Sequence, residues 1–222
     1  MKNWYQLTES ETLDKLGVTS EGLSSQQADS LLEKHGKNVL EESKKKSVFQ
    51  VFLSQFADLM VIILIIAAIV SMFSGSVEST IVIFAVITLN AILGTVQHVK
   101  AEKSLESLKS LSSPSAKVIR DGRKIEIDSE NIVPGDIVVL EAGDLVVADG
   151  RIINNYSLQV NESSLTGEST NIDKSVETIE KEVPLADRTD MVFSGSLVTY
   201  GRAIVVVTET GMNTEIGKIA TL

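Results

Sequence analysis

The spacing of polar and apolar positions changes character three times along this chain. Residues 48–73 (VFQVFLSQFADLMVIILIIAAIVSMF) and 81–89 (IVIFAVITL) are nearly continuous apolar runs, and Leu59 to Val70 contains no polar side chain. A helix crossing the hydrocarbon core of a bilayer needs about 20 mostly apolar residues. The pattern therefore predicts a membrane hairpin, with a first span over 48–73, an extracytoplasmic turn over 74–80 containing Ser74-Gly75-Ser76, and a second span with its stalk over 81–111. In the first span Gln50, Ser54, Gln55 and Asp58 cluster at the beginning, which places that end among lipid headgroups. Past the second apolar run, Val99, Leu105, Leu108 and Leu111 recur at helical spacing among Lys100, Glu102, Lys103, Glu106 and Lys109, an amphipathic continuation that Ser112-Ser113-Pro114 ends. The rival reading is a soluble protein with two buried core helices, although two apolar runs of this length rarely fit in so small a domain.

On either side of the hairpin the pattern is that of water-soluble structure. Residues 1–47 form an N-terminal cytoplasmic helical region: Thr8 with Glu11 three positions on is a helix-start pattern, Ser24 opens a second helix through Ala28, Leu31 and Leu32 towards Gly36, and Gly17 and Gly22 break the two. From Ala116 onward the period becomes two. Turns are expected at Asp121-Gly122, Gly143-Asp144 and Asp149-Gly150, with a further strand-rich stretch in MVFSGSLVTYGRAIVVVTETG. Residues 112–222 thus read as a β-rich domain of six or more short strands, a small sandwich or barrel-like body.

Charge adds orientation and excludes some partners. Lysines 44–46 precede the first span and Lys100, Lys103 and Lys109 follow the second, whereas the connecting turn has none, so both termini and the β-rich domain are expected in the cytoplasm. The β-rich domain carries ten basic and 18 acidic side chains, which argues against nucleic acid or an anionic lipid surface as its main partner. The absence of cysteine removes disulfides, thiolate metal sites and cysteine nucleophiles. The opening MKNWYQLTES lacks the layout of a signal peptide, and the N-terminus is expected to stay where it is made.

Several candidate motifs fail on inspection. Gly217-Lys218 resembles the end of a phosphate-binding loop, but Met212 and Ile219 occupy the positions that should be glycine and a hydroxyl residue. His35 and His98 lack partners at metal-ligand spacing, and Asn161-Glu162-Ser163, a glycosylation pattern, would not meet the machinery on a cytoplasmic domain. Asp58 is a carboxyl beside an apolar span, a costly placement that is either functional or relieved by reaching the interface. The stretch VNESSLTGESTNIDK (160–174) puts hydroxyls, a glycine and a carboxylate into a strand-rich domain. Alone, Thr166-Gly167-Glu168-Ser169 reads as a turn.

It does not stand alone. Val133-Pro134-Gly135-Asp136-Ile137-Val138, Gly143-Asp144 with Ala148-Asp149, LTGES at 165–169, FSGS at 193–196 and TGMNTEIGKI at 210–219 follow one another behind the hairpin. In this order the chain resembles the P-type ATPases, cation pumps that pass through an aspartyl-phosphate, and looks most like their calcium-transporting branch. Trp4, Leu7, Leu16, Gly22-Leu23, Ala28, Gly36 and Asn38 extend the match to the N-terminus. The resemblance implies that the β-rich domain is the actuator, mainly β with a distorted jelly-roll-like form. It implies that Glu168 positions and polarises the water attacking the phosphorylated aspartate, that Gly167 lets the backbone approach the phosphate, and that Thr166 and Ser169 hold the loop's shape. One departure is Val147, where the family commonly has proline; a local strand change is expected there.

The family's Asp-Lys-Thr-Gly-Thr phosphorylation sequence does not occur: Asp14-Lys15 is followed by Leu16, and Asp173-Lys174 by Ser175. The expectation is an N-terminal portion of a larger pump, inactive alone, with ATP and Mg2+ bound by nucleotide-binding and phosphorylation domains outside this segment. Calcium is the expected cargo, the lipid bilayer and those other domains are the partners, and the cell membrane is the expected location. Asp58 is the candidate ion-entry residue. The alternatives are a pump for Na+, K+, H+ or Mn2+, or a free-standing membrane-tethered binding or regulatory module. Because the second span runs on as a stalk, actuator rotation would pull on the hairpin.

Overall fold

The computed structural model describes residues 3–40, 46–111, 114–167 and 170–220. They divide into two compact units, one built from residues 1–41 with 113–222 and the other from residues 42–112.

Among the described residues of the first unit seven strands form one sheet in which every pairing is antiparallel: β1 (Ser115–Arg120), β2 (Arg123–Asp128), β3 (Ile137–Glu141), β4 (Asp149–Asn161), β5 (Asn171–Asp173), β6 (Met191–Val192) and β7 (Leu197–Glu209). Their order is β2-β1-β3-β7-β4-β5, with β6 paired to the start of β4. Asp121 and Gly122 both have positive φ (50° and 68°) and close the β1–β2 hairpin, as two-residue turns between twisted strands require. The expected turn at Asp149-Gly150 does not form. Both residues open β4, where Gly150 lies so close to β7 that an added Cβ would stand 2.3 Å from Val205 Cγ1 and 2.8 Å from the Val206 carbonyl oxygen. The glycine there permits strand packing and is no turn signal. Nor are all strands short: β4 and β7 have 13 residues each and pair along most of their length with several register shifts.

Both faces of the central strands are covered, which explains the unbroken apolar run AIVVV at 203–207. Ala203, Val205 and Val207 point into a core with Val118, Val138, Leu140, Ile152 and Val160, while Val206 faces the opposite side with Ile137, Ile153 and Val133. That second face is closed by Val18, Leu23 and Ala28 from the N-terminal segment. Burying each large aliphatic side chain contributes about 1.5–3 kcal/mol. The segment folds as expected: α1 (Glu9–Leu16) and α2 (Ser25–His35) each start at a reciprocal capping box, Thr8 with Glu11 and Ser24 with Gln27. Asn38 pins its end to the sheet domain, donating from Nδ2 to the carbonyls of Ser129 (3.0 Å) and Val147 (2.9 Å) and accepting the Gly211 amide at Oδ1 (2.8 Å). Val147, at the position of the departure from the family pattern, lies outside any strand and supplies one of these acceptors.

Among the described residues the second unit holds three helices, α3 (Val48–Gln55), α4 (Leu59–Phe73) and α5 (Val77–Leu111). The single helix expected over 48–73 is two, bent by 61° at Phe56–Asp58. The reason is local. Ser54 Oγ bonds back to the Val51 carbonyl at 2.7 Å, the chain turns at Phe56-Ala57, and Asp58 restarts the helix by accepting the Met60 amide at 2.9 Å. The turn before α5 is also shorter than the expected 74–80, because the helix begins at Val77. Residues Val77–Leu105 of α5 are long and apolar enough to cross a membrane, the most apolar 18-residue window having mean hydropathy 2.1, and the bent pair α3–α4 qualifies if taken as one span. Small or β-branched side chains form the packed seam of these helices, Val61 and Ala68 on α4 and Thr80, Ile87, Ala91 and Thr95 on α5, while Leu59, Ile63, Ile66, Val70, Phe73, Ile81, Val82 and Leu89 are exposed.

Candidate functional site

The loop that sequence reasoning singled out joins β4 to β5, whose short ladder pairs Gln159–Asn161 with Asn171–Asp173. As β4 ends, Asn161 Oδ1 accepts both the amide (3.2 Å) and the hydroxyl (2.6 Å) of Ser163, which turns the chain out of the sheet. A single helical turn follows, α6 (Ser163–Thr166), in which the amides of Leu165 and Thr166 both donate to the Glu162 carbonyl. Thr166 Oγ1 donates to the same carbonyl at 3.2 Å, so the threonine holds the turn closed. Gly167 ends it in the left-handed region (φ 76°), a conformation that a residue with Cβ resists. Among the described residues, its chain neighbours aside, no atom lies within 4 Å of where a Cβ on Gly167 would sit, so the backbone there is open on that side. Glu168 and Ser169, the next two expected site residues, lie outside the described residues.

Around this exposed turn the neighbouring motifs make a packed base. Leu165 packs with Tyr5, Met191 and Phe193, and Ser164 Oγ donates to the carbonyl of Gly195 in the FSGS turn at 3.2 Å. That turn is in turn held by Asp149, whose Oδ1 accepts the Ser194 amide at 2.8 Å and whose Oδ2 accepts the Glu215 amide at 2.7 Å. One carboxylate thus joins the motifs at 148–149, 193–196 and 210–219. Burial pushes its pKa up to about 6, against the opposing pull of those two amides. Asp136 of the Pro-Gly-Asp motif plays a comparable part further back, accepting the Val133 amide at 2.9 Å and both Nε and Nη2 of Arg120 at 2.8 and 2.6 Å.

Sequence reasoning missed two buried ion pairs beneath the loop. Lys174 Nζ lies 2.5 Å from Glu162 Oε1, and Arg151 Nε lies 3.0 Å from Asp190 Oδ2; all four side chains are fully buried. Burial raises the pKa of Glu162 and lowers that of Lys174, each opposed by its partner's charge, and burial lifts Asp190 to about 6 despite Arg151. Arg151 also donates to the carbonyls of Leu7, Ile152, Asp190 and Val176, tying the N-terminal segment to the sheet. Nothing in the linear sequence marks these residues, because a lone Glu or Lys between strands reads as a solvated side chain. Asp58, the remaining expected site residue, is in the second unit as the N-cap of α4.

Among the described residues, no group of three or more His, Asp or Glu side chains converges as metal ligands. The geometry that remains is a packed, hydrogen-bonded base with buried ion pairs, presenting a solvent-exposed glycine turn.

Comparison with known proteins agrees with this geometry. The model of the P-type ATPase actuator domain matches residues 110–222, and that of the cation transporter/ATPase N-terminus matches residues 4–71. The chain is 48% identical over 218 residues to a calcium-transporting ATPase of Listeria monocytogenes, covering 98% of this chain and 25% of that protein. It is 44% identical to calcium-transporting ATPase 1 of Bacillus cereus, covering 100% of this chain and 26% of the relative, and 40% identical to a cation-transporting ATPase of Synechocystis, covering 92% and 22%. The chain spans about a quarter of the length of these curated relatives. With a matched actuator domain over half its length and a matched N-terminal region before it, the chain belongs to the P-type ATPase family.

Proposed function

We propose that the whole protein is an ATP-driven pump exporting Ca2+ across the cell membrane, and that this portion supplies the dephosphorylation loop and the first two membrane spans. The observation that carries the reading is the Thr166-Gly167 turn, exposed at its tip and locked at its base, within a chain 44–48% identical to calcium-transporting ATPases. Glu168, entering from Gly167, orients and polarises the water that attacks the aspartyl-phosphate in line, the task such a hydrolysis leaves to a carboxylate. Gly167 allows close approach of the backbone to the phosphate. Thr166 holds the turn, and Ser169 is assigned the same supporting role.

The spans at 48–73 and 77–105 form a membrane hairpin in this reading. Only 22% of the most apolar window of α5 is buried in protein, which leaves a long apolar surface for lipid and disfavours the soluble rival. The actuator, a distorted jelly-roll in finer terms, and both ends of this portion face the cytoplasm. ATP and Mg2+ act at regions outside this segment, where the phosphoryl group is transferred. Asp58 stands at the entrance of the first span as the proposed ion-entry residue. A pump for another cation is the second reading, supported by the 40% identity to a relative named only as cation-transporting.

The deciding experiment replaces Glu168 with Ala in the full-length pump. Phosphorylation by ATP is expected to persist while loss of the phosphoenzyme slows; unchanged decay rules the assignment out.

A further inference from the structure

The loop's β-ladder is short. Strand β5 contributes three residues at the end of the sheet order, two of them exposed, and an edge ladder of that length frays readily. Yet the residue that enters the turn, Glu162, and the residue that leaves β5, Lys174, are among the most deeply buried charged residues described. Their side chains meet at 2.5 Å, and among the described residues neither the Glu162 carboxylate nor the Lys174 ammonium has a further hydrogen-bond partner. Lys174 is held from its backbone as well: its amide donates to the Leu158 carbonyl at 2.9 Å, and its carbonyl accepts from Asn155 Nδ2. Its ammonium lies 5.5 Å from the Phe193 ring centre and also feels the charge of Asp190. Glu162, Lys174, Asp190 and Arg151 are thus four alternating buried charges running from the foot of the turn into the sheet.

A buried ion pair of this kind is poor evidence for stability, since apolar replacements of similar volume are often as stable or more so. What such a pair can supply instead is direction, because two buried charges satisfy one another only where the backbone segments that carry them bring them together. We propose that Glu162 and Lys174 are positioning residues for the dephosphorylation loop, fixing the α6 turn and Gly167 in the frame from which hydrolysis proceeds. The proposal rests on the loop's role stated above, and its test is arranged so that the two can fail separately.

The full-length pump is phosphorylated with radiolabelled ATP, and phosphoenzyme decay is followed after a chase of unlabelled ATP. The proteins compared are wild type, Glu168→Ala, Glu162→Gln, Lys174→Met and the double variant Glu162→Leu with Lys174→Met; thermal unfolding is recorded on each. The double variant removes both charges and keeps the volume. It is expected to accept phosphate from ATP and to unfold at or above the wild-type temperature, while its phosphoenzyme decays about tenfold to a hundredfold more slowly, the scale set by small misplacement of a reacting group. Glu162→Gln is expected to slow decay in the same way. If the double variant decays at the wild-type rate, the pair serves burial alone and the proposal is overturned; a double variant that forms no phosphoenzyme overturns it too, since the pair would then hold the whole fold. Where a single variant does not fold, the double variant decides. Normal decay in Glu168→Ala would remove the underlying role of the loop, and the proposal with it, whereas slow decay there with normal decay in Glu162→Gln defeats only the positioning role.

Discussion

Asp149 and Glu215 are 66 positions apart, yet the Asp149 Oδ2 atom accepts the Glu215 amide at 2.7 Å and so starts the short helix α7 (Glu215–Ala220). The second oxygen takes the Ser194 amide, so the FSGS turn and the TGMNTEIGK segment are held by the same carboxyl group. In Asp149→Asn one of these amides would face an NH2 group in place of an acceptor. The expected cost is about 1–3 kcal/mol, and hydrogen exchange at Ser194 or Glu215 should accelerate while exchange in β1 and β2 stays as in wild type.

The same residue sets a pH dependence. Its folded-state pKa of about 6 lies above the ordinary 3.8, so between those values the folded chain binds more protons than the unfolded one. The stability contributed by Asp149 is therefore fully present below about pH 4, declines as pH rises, and is lost above about pH 6, a swing of about 3 kcal/mol at most. Thermal unfolding at pH 4.5 and pH 6.5 should show the melting temperature of wild type rising at the lower pH relative to that of Asp149→Asn, a comparison in which the other carboxylates cancel. Equal pH responses in the two proteins would refute the assignment.

Gly150 is tested by the smallest possible addition. A methyl group there would press on Val205 and on the Val206 carbonyl at the centre of the sheet. Gly150→Ala should destabilise by about 1–3 kcal/mol through overpacking, seen as a lower melting temperature. A neutral result would mean that β4 and β7 yield easily at this point.

Asp58 has two candidate roles, and two substitutions separate them. Asparagine is as good an N-cap as aspartate, whereas alanine loses about 0.5–2 kcal/mol. Protection of the Met60 amide should survive in Asp58→Asn and fall in Asp58→Ala. If Asp58 also serves cation entry, Asp58→Asn will lower apparent cation affinity in the full-length pump even though α4 still starts correctly; unchanged affinity leaves the residue as a cap alone.

Much of the fold was legible because its signals are local. The capping pairs at Thr8 and Ser24, the Asp121-Gly122 turn and the period-two stretches each depend on residues a few positions apart, and all appear where expected. Two failures differ in kind, one arising where two segments meet and one from side-chain bonds that apolar content does not register. Gly150 carries the same dipeptide signal as Gly122, but its freedom is used for contact with β7, which no local pattern reveals. The apolar content of 48–73 predicted one helix; a side-chain bond from Ser54 and a cap from Asp58 made two.

The sequence by itself determined the apolar helices, the strand-rich domain and the motif order that identifies the family, since composition, periodicity and short motifs are properties of the linear chain. Only the tertiary structure decided which charges are buried together. Glu162 with Lys174, Arg151 with Asp190, and Asp149 with two distant amides are bonded across gaps of 12 to 66 positions. A charged residue's partner is chosen when strands and turns pack and water leaves, and until then its sequence neighbours carry no record of it.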